Sequence, residues 1–227
     1  MRTHLARSIL ASVAFLTLGS VANADVLFQN PDPISSSPGN VQAWFISGPF
    51  ATSDSFQLAS SATLSSIDFL VWNTHGGHTT SVDWTISSGV GGSGTVFGNG
   101  TASITDVFSN TNSLGFDVNL DTFTLNTSLS AGIFWLTLQN AVLSDPTGIM
   151  GWDQGGGSSE AWTNTLGFFN ADNCAPNENP PTNGSCAETF RINGTAGTTV
   201  PEPITLSLFG AGLAGAVAMR RRKTKKA

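Results

Sequence analysis

Tyrosine is absent from this 227-residue chain, and basic residues are nearly absent from its middle. Between Asp25 and Thr199 fourteen acids stand against one base, Arg191; every other Lys and Arg lies near an end. A region so acidic repels nucleic acid and anionic membrane surfaces, so nucleic acid is no expected partner. Cysteine is scarce as well. Cys174 and Cys186 are the only two, and without a neighbouring His they make no zinc set, so no metal ligands are assigned. Histidine is limited to His4, His75 and His78, which leaves little material for general acid–base chemistry. There is no G-x-S-x-G elbow, no internal repeat and no long helical period before residue 200.

Both ends are apolar and flanked by basic residues. In front, Arg2 and Arg7 precede an apolar run from Ile9 to Leu18, and Ala22-Asn23-Ala24 is an A-x-A cleavage site. Residues 1–24 are expected to be a signal peptide, cut by signal peptidase so that the mature chain begins at Asp25. Behind, Val200-Pro201-Glu202-Pro203 leads into an uncharged stretch from Ile204 to Met219. As a helix rising ~1.5 Å per residue this stretch is roughly 24 Å long, short for a hydrocarbon core of about 30 Å. It spans if Arg220 snorkels and the bilayer thins. Arg220, Arg221, Arg222 and Lys223, followed by Lys225 and Lys226, form a basic stop. By the positive-inside rule they stay cytoplasmic and everything before Val200 lies outside.

This order of polar motif, apolar segment and basic stop resembles the PEP-CTERM sorting signal of exported bacterial proteins. The resemblance covers residues 200–227, with the transmembrane segment at 204–219. It implies a Gram-negative host that makes extracellular polysaccharide, and processing by an exosortase, a membrane cysteine protease-transpeptidase. Pro201, Glu202 and Pro203 would be its recognition motif, and Arg220 to Arg222 would halt translocation. The implied course is a precursor anchored transiently in the inner membrane, then a cell-surface or extracellular product. The resemblance implies no activity for the cargo.

The cargo, residues 25–193, is expected to be all-β, with 194–199 as a linker. Segments with period-2 apolar alternation are separated by Gly, Ser, Asn and Asp. In 81–86, Val82, Trp84 and Ile86 point one way and Asp83 and Thr85 the other. Ile67, Phe69 and Val71 alternate with Asp68, Leu70 and Trp72; Phe134, Leu136 and Leu138 form a core face that turns Trp135 outward. Further strands are expected at 41–46, 55–58, 94–97, 114–118, 122–125, 148–152 and 189–192. Some ten short strands argue for a single β-sandwich, jelly-roll-like, and their order is similar to that of PEP-CTERM cargo sandwiches. In an oxidising compartment Cys174 and Cys186 most simply pair, closing a loop with a stabilisation of roughly 3 kcal/mol.

Candidate sites are few. His75 and His78, with Asp83, are a conceivable metal set, but the two glycines between them mark a turn tip, where His is ordinarily solvated. Asp117, Asp121, Asp145, Asp153 and Glu160 supply carboxylates for a hydrolase only if two of them face each other across a cleft. Loop carboxylates and carbonyls suit a structural Ca²⁺, the one cofactor considered, although no stretch has EF-hand spacing. Trp152 and Trp162 flank a Gly-rich segment with Asp153, Gln154 and Glu160, a set that matches the apolar faces and hydroxyls of a sugar. Capping of the sandwich by both indoles is the competing account. The expectation is a non-enzymatic, exosortase-sorted surface or matrix protein associated with exopolysaccharide; a glycan-binding module is the alternative, and a secreted hydrolase the third.

Overall fold

A computed structural model describes residues 24–30, 33, 42–74, 76–156, 159–164, 169–170 and 186–197. Its strands are β1 (Asp25–Asn30), β2 (Gln42–Phe45), β3 (Ala51–Leu58), β4 (Ala62–Asn73), β5 (Thr79–Ser87), β6 (Val96–Ser103) and β7 (Thr105–Thr111). They continue as β8 (Asp117–Leu129), β9 (Gly132–Leu143), β10 (Met150–Gly156), β11 (Ala161–Thr163), β12 (Phe169–Asn170), β13 (Cys186–Glu188) and β14 (Phe190–Ala196). One 3-10 turn, Val90–Gly92, interrupts the strands. The all-β expectation holds. Among the described residues no helix is long and apolar enough to cross a membrane.

The strands form two antiparallel sheets. The first runs β1-β14-β4-β8-β7 at one end; at the other, β10 takes over beside β4 and also pairs with β2 and β13. The second runs β12-β11-β3-β9-β5-β6. Their inner faces meet in one core. Ile67, Phe69 and Val71 of β4, with Trp152, Phe190 and Ile192, face Phe56, Val82, Ile86, Phe134, Leu136 and Leu138 from the other sheet. Most of these side chains alternate with outward polar or partly exposed ones; Val71 alternates instead with Leu70 and Trp72, which are buried on the outer face. That alternation is why the sequence settles as strands with this face inward.

Trp84 is on the inner face, as its alternation requires, but only half buried at the rim, stacked on Phe123 at 6.1 Å. Gly98 on the neighbouring β6 makes room for it: a Cβ there would meet Trp84 Cζ3 at 3.2 Å and Thr127 Oγ1 at 2.9 Å. The first sheet carries a smaller apolar cluster on its outer face, Leu70, Trp72 and Val118. Beside it lies Arg191, whose guanidinium donates to Asp68 Oδ2 from Nη2 at 2.6 Å and Nε at 2.9 Å. Asp68 also accepts from Asn193 and Thr122, at 2.8 Å each. The one base of the cargo is thus committed to a part-buried ion pair.

Several boundaries differ from the sequence expectation. Residues 114–116 form a turn, closed by Gly115 at φ 85, rather than the start of a strand. β7 was not expected at all. It is an outermost strand with adjacent exposed apolar residues, Val107 and Phe108, so it shows no alternation. The expected linker begins later, because Gly194, Thr195 and Ala196 continue β14 against Leu64, Thr63 and Ala62.

Candidate functional sites

The grouping of Trp152, Asp153, Gln154, Glu160 and Trp162 into one sugar-binding groove is overturned. Trp152 is 0% exposed in the inter-sheet core, edge-on to Phe69 at 6.2 Å and to Phe190 at 5.5 Å. Its indole Nε1 donates to the Thr189 carbonyl at 3.1 Å. Asp153 and Gln154 are buried as well. The reason lies in the strand pairing. β10 is paired with β4 and then β13 along one edge and with β2 along the other, and its side chains on both faces, Met150 and Trp152 on one and Asp153 on the other, are buried. Thr189 sits where the last strands fork between β4 and β10. Its N–H donates to the Asp153 carbonyl at 2.8 Å, its carbonyl accepts the Leu70 N–H at 3.2 Å, and its hydroxyl donates to Asp153 Oδ2 at 2.9 Å. Trp72 Nε1 donates to Asp153 Oδ1 at 2.6 Å. Trp152 and Asp153 therefore hold the fork together. Trp162 lies in β11 of the other sheet, half buried.

Glu160 is exposed and lines a different cleft, of about 390 Å³, on the outer side of the second sheet near β1. Its floor follows from strand register. Ser55 pairs with Trp135, and Gln57 with Ile133, so these four outward side chains form a two-by-two patch. Pairs directly opposite place their Cβ atoms about 5 Å apart. Ile133 is 63% exposed and Trp135 half-buried, both on the outward face that the alternation of β9 predicts. The wall is fixed by one main-chain and one side-chain bond: Ser55 N donates to Glu160 O at 3.0 Å, and Glu160 N donates to Ser55 Oγ at 2.9 Å. Asn30 donates to the Ser159 hydroxyl and ties the wall to the end of β1. Sequence reasoning found Trp135 and Glu160 separately. The Ser55–Trp135 register that joins them is a long-range pairing which no local pattern encodes.

A second polar cluster occupies the inner face near the start of β5. Asp106 on β7 and Asp121 on β8 are register partners, and both carboxyls are shielded from water. Asn119 Nδ2 donates to both Asp106 oxygens at 2.8 Å, Thr79 N donates to Oδ2 at 3.0 Å, and His78 Nδ1 lies 3.0 Å from Oδ1. Burial pushes the Asp106 carboxyl up, but the bonds from Asn119, His78 and Thr79 outweigh it and hold it below the usual aspartate range. For Asp121 burial dominates, the adjacent Asp106 charge adds to it, and its carboxyl is held well above that range. Two carboxyls thus lie side by side inside the fold with opposite shifts, Asp106 lowered by its donors and Asp121 raised by burial.

His78 does not join Asp83, whose carboxylate takes Thr101 Oγ1 at 2.5 Å and Asn140 Nδ2 at 2.8 Å; His75 lies outside the described residues. Among the described residues no three or more His, Cys, Asp and Glu side chains are grouped to hold a metal ion. Of the hydrolase carboxylates, Asp117, Asp121 and Asp153 are buried, while Asp145 is an exposed turn cap bonded to Thr147.

The expected processing and disulfide sites fall largely outside the described residues. These are Ala22, Cys174, Val200, Pro201, Glu202, Pro203, Arg220, Arg221, Arg222 and Lys223, with the segment 204–219; for Cys186 the backbone alone is described, as the first residue of β13. A family model for the PEP-CTERM protein-sorting motif matches residues 199–223. The tail is a PEP-CTERM sorting motif. It marks the chain as an exported substrate of an exosortase, made as a membrane-anchored precursor in a Gram-negative bacterium. The PEP-CTERM match begins three positions after the last residue of β14, so the sorting motif follows the sheet almost directly. No curated protein matches the chain.

Proposed function

We propose that this chain is a non-enzymatic component of the extracellular polysaccharide matrix, delivered as a jelly-roll-type β-sandwich. The observation that carries the reading is the PEP-CTERM motif joined to an acidic domain that has no lysine. The strand order supports the fold type: β1-β14-β4-β8 lies against β3-β9-β5-β6, so each sheet takes strands from both halves of the chain, as two Greek keys require. The paired acids Asp106 and Asp121 support a structural role. Both are shielded from water, and Asp106 is taken up by Asn119 and Thr79 of its own scaffold, whereas a hydrolase needs its two carboxylates open to substrate.

Signal peptidase and exosortase act on the two ends, and the released domain resides at the cell surface or in the matrix. Cell fractionation tests this. Wild-type protein, freed of its basic tail, is expected in the washed polysaccharide fraction of the producing cell. Glu202→Ala is expected to remain as full-length precursor in the inner membrane. Wild-type protein that is released but found wholly in the cell-free medium refutes the matrix role.

A further inference from the structure

We propose that the cleft floored by Trp135 and Ile133 and walled by Glu160 is a binding site for a neutral polysaccharide chain, an inference that rests on the matrix role above and names the surface which would carry it. The patch is divided in the manner a pyranose demands. Trp135 and Ile133 give an apolar strip along β9, and Ser55 and Gln57 give a polar strip along β3, one register pair each. A sugar ring has an apolar C–H face and a rim of hydroxyls. The face stacks on the indole and its aliphatic neighbour, while the Gln57 amide and the Glu160 carboxylate meet the rim. The volume, about 390 Å³, is in the range of small-ligand clefts. The floor is a sheet and the Glu160 backbone is pinned to Ser55 by two hydrogen bonds, so little ordering is left for the ligand to impose.

Charge selects the class of polymer. An acidic polysaccharide needs cations to meet its carboxylates or sulfates. Between Asp25 and Thr199 the one base is Arg191, on the outer face of the other sheet and bound to Asp68. Among the described residues, the ionisable group that lines the cleft is Glu160, which repels polyanions. A neutral chain meets no such barrier. One stacked unit is weakly held, and affinity accrues from many copies of the unit along one polymer.

Affinity electrophoresis of the full chain in detergent, through gels containing a neutral glucan, mannan or galactan, or alginate as the acidic polymer, tests the site. The wild-type chain is expected to be retarded by at least one neutral polymer and not by alginate. Trp135→Ala should weaken retardation at least fivefold and Trp135→Phe less than twofold. Ile133→Asp, at a position 63% exposed and outside the core, should weaken it as Trp135→Ala does while its urea midpoint shows a folded domain. Equal retardation by alginate, no retardation by any neutral polymer, or unchanged retardation of both Trp135→Ala and Ile133→Asp overturns the proposal. The gel result does not depend on where the cell keeps the protein, so the site and the matrix role fail separately.

Discussion

Replacing Asp121 with Asn should change the way stability depends on pH, because this carboxyl is wholly enclosed and beside a second one. Its folded-state pKa is raised, so the folded chain keeps a proton that the unfolded chain releases near pH 4. The stability tied to that proton is fully present below the unfolded value. It is lost as pH rises, until the folded carboxyl itself titrates. While one proton separates the two states the loss runs at about 1.4 kcal/mol per pH unit. Asp106 is shifted the other way, so its contribution exists above pH ~4 and is lost on the acid side, as pH falls through its folded value. The two effects therefore occupy different windows. Asparagine keeps the shape of Asp121 and cannot ionise. Urea unfolding followed by tryptophan fluorescence, from pH 4 to 9, should show the variant gaining on wild type steadily above pH ~4, then levelling off. Parallel curves for the two proteins would show that no proton is held there and would refute the acid-pair reading.

Trp152→Ala should destabilise by about 3–5 kcal/mol, since a fully buried indole leaves a cavity at the strand fork, and Trp152→Phe by about 1 kcal/mol for the lost bond to Thr189; urea midpoints measure both. Gly194→Ala should cost at least about 2 kcal/mol, because its Cβ would overlap the Thr63 carbonyl and Leu27 at the β14 bulge, and a thermal midpoint equal to wild type would contradict the packing described. Cys174 and Cys186 should be bridged in protein from the exported fraction, seen as two hydrogens missing from the intact mass, and reduction should lower stability by roughly 3 kcal/mol.

The elements most legible in the sequence are those with one face in the core. β5 and β9 announce themselves because Val82, Ile86, Phe134, Leu136 and Leu138 are buried while Asp83, Thr85, Ile133 and Trp135 point outward. Edge strands lack that contrast, which is why β7 left no trace. The misplacement of Trp152 has a specific cause. The glycines at 155–157 read as a loop beside the strand expected at 148–152, which sets Trp152 at the mouth of that loop, whereas Gly151 within the strand marks close packing: a Cβ there would come within 2.8 Å of the Ala43 side chain on β2. Met150 and Trp152 alternating with Gly151 and Asp153 was the available sign of a strand closed in on both faces. The acid pair was hidden for a different reason, since its two carboxyls meet only through the pairing of β7 with β8.

The position of β14 has a consequence for delivery. It is the last strand of the cargo, yet it lies in the interior of its sheet, between β1, the first strand, and β4. A chain exported N-terminus first cannot seal this sheet until residue 196 has cleared the membrane, and by then the sorting tail is already entering it. Closure can thus begin only as the tail anchors, with Asp25 registered against Gly194 so that the two ends of the domain emerge side by side. Such a fold is built from distant pairings and closes slowly. The tether holds the unfinished sheet at the membrane while it closes, and release by exosortase is the step that would set a finished domain free.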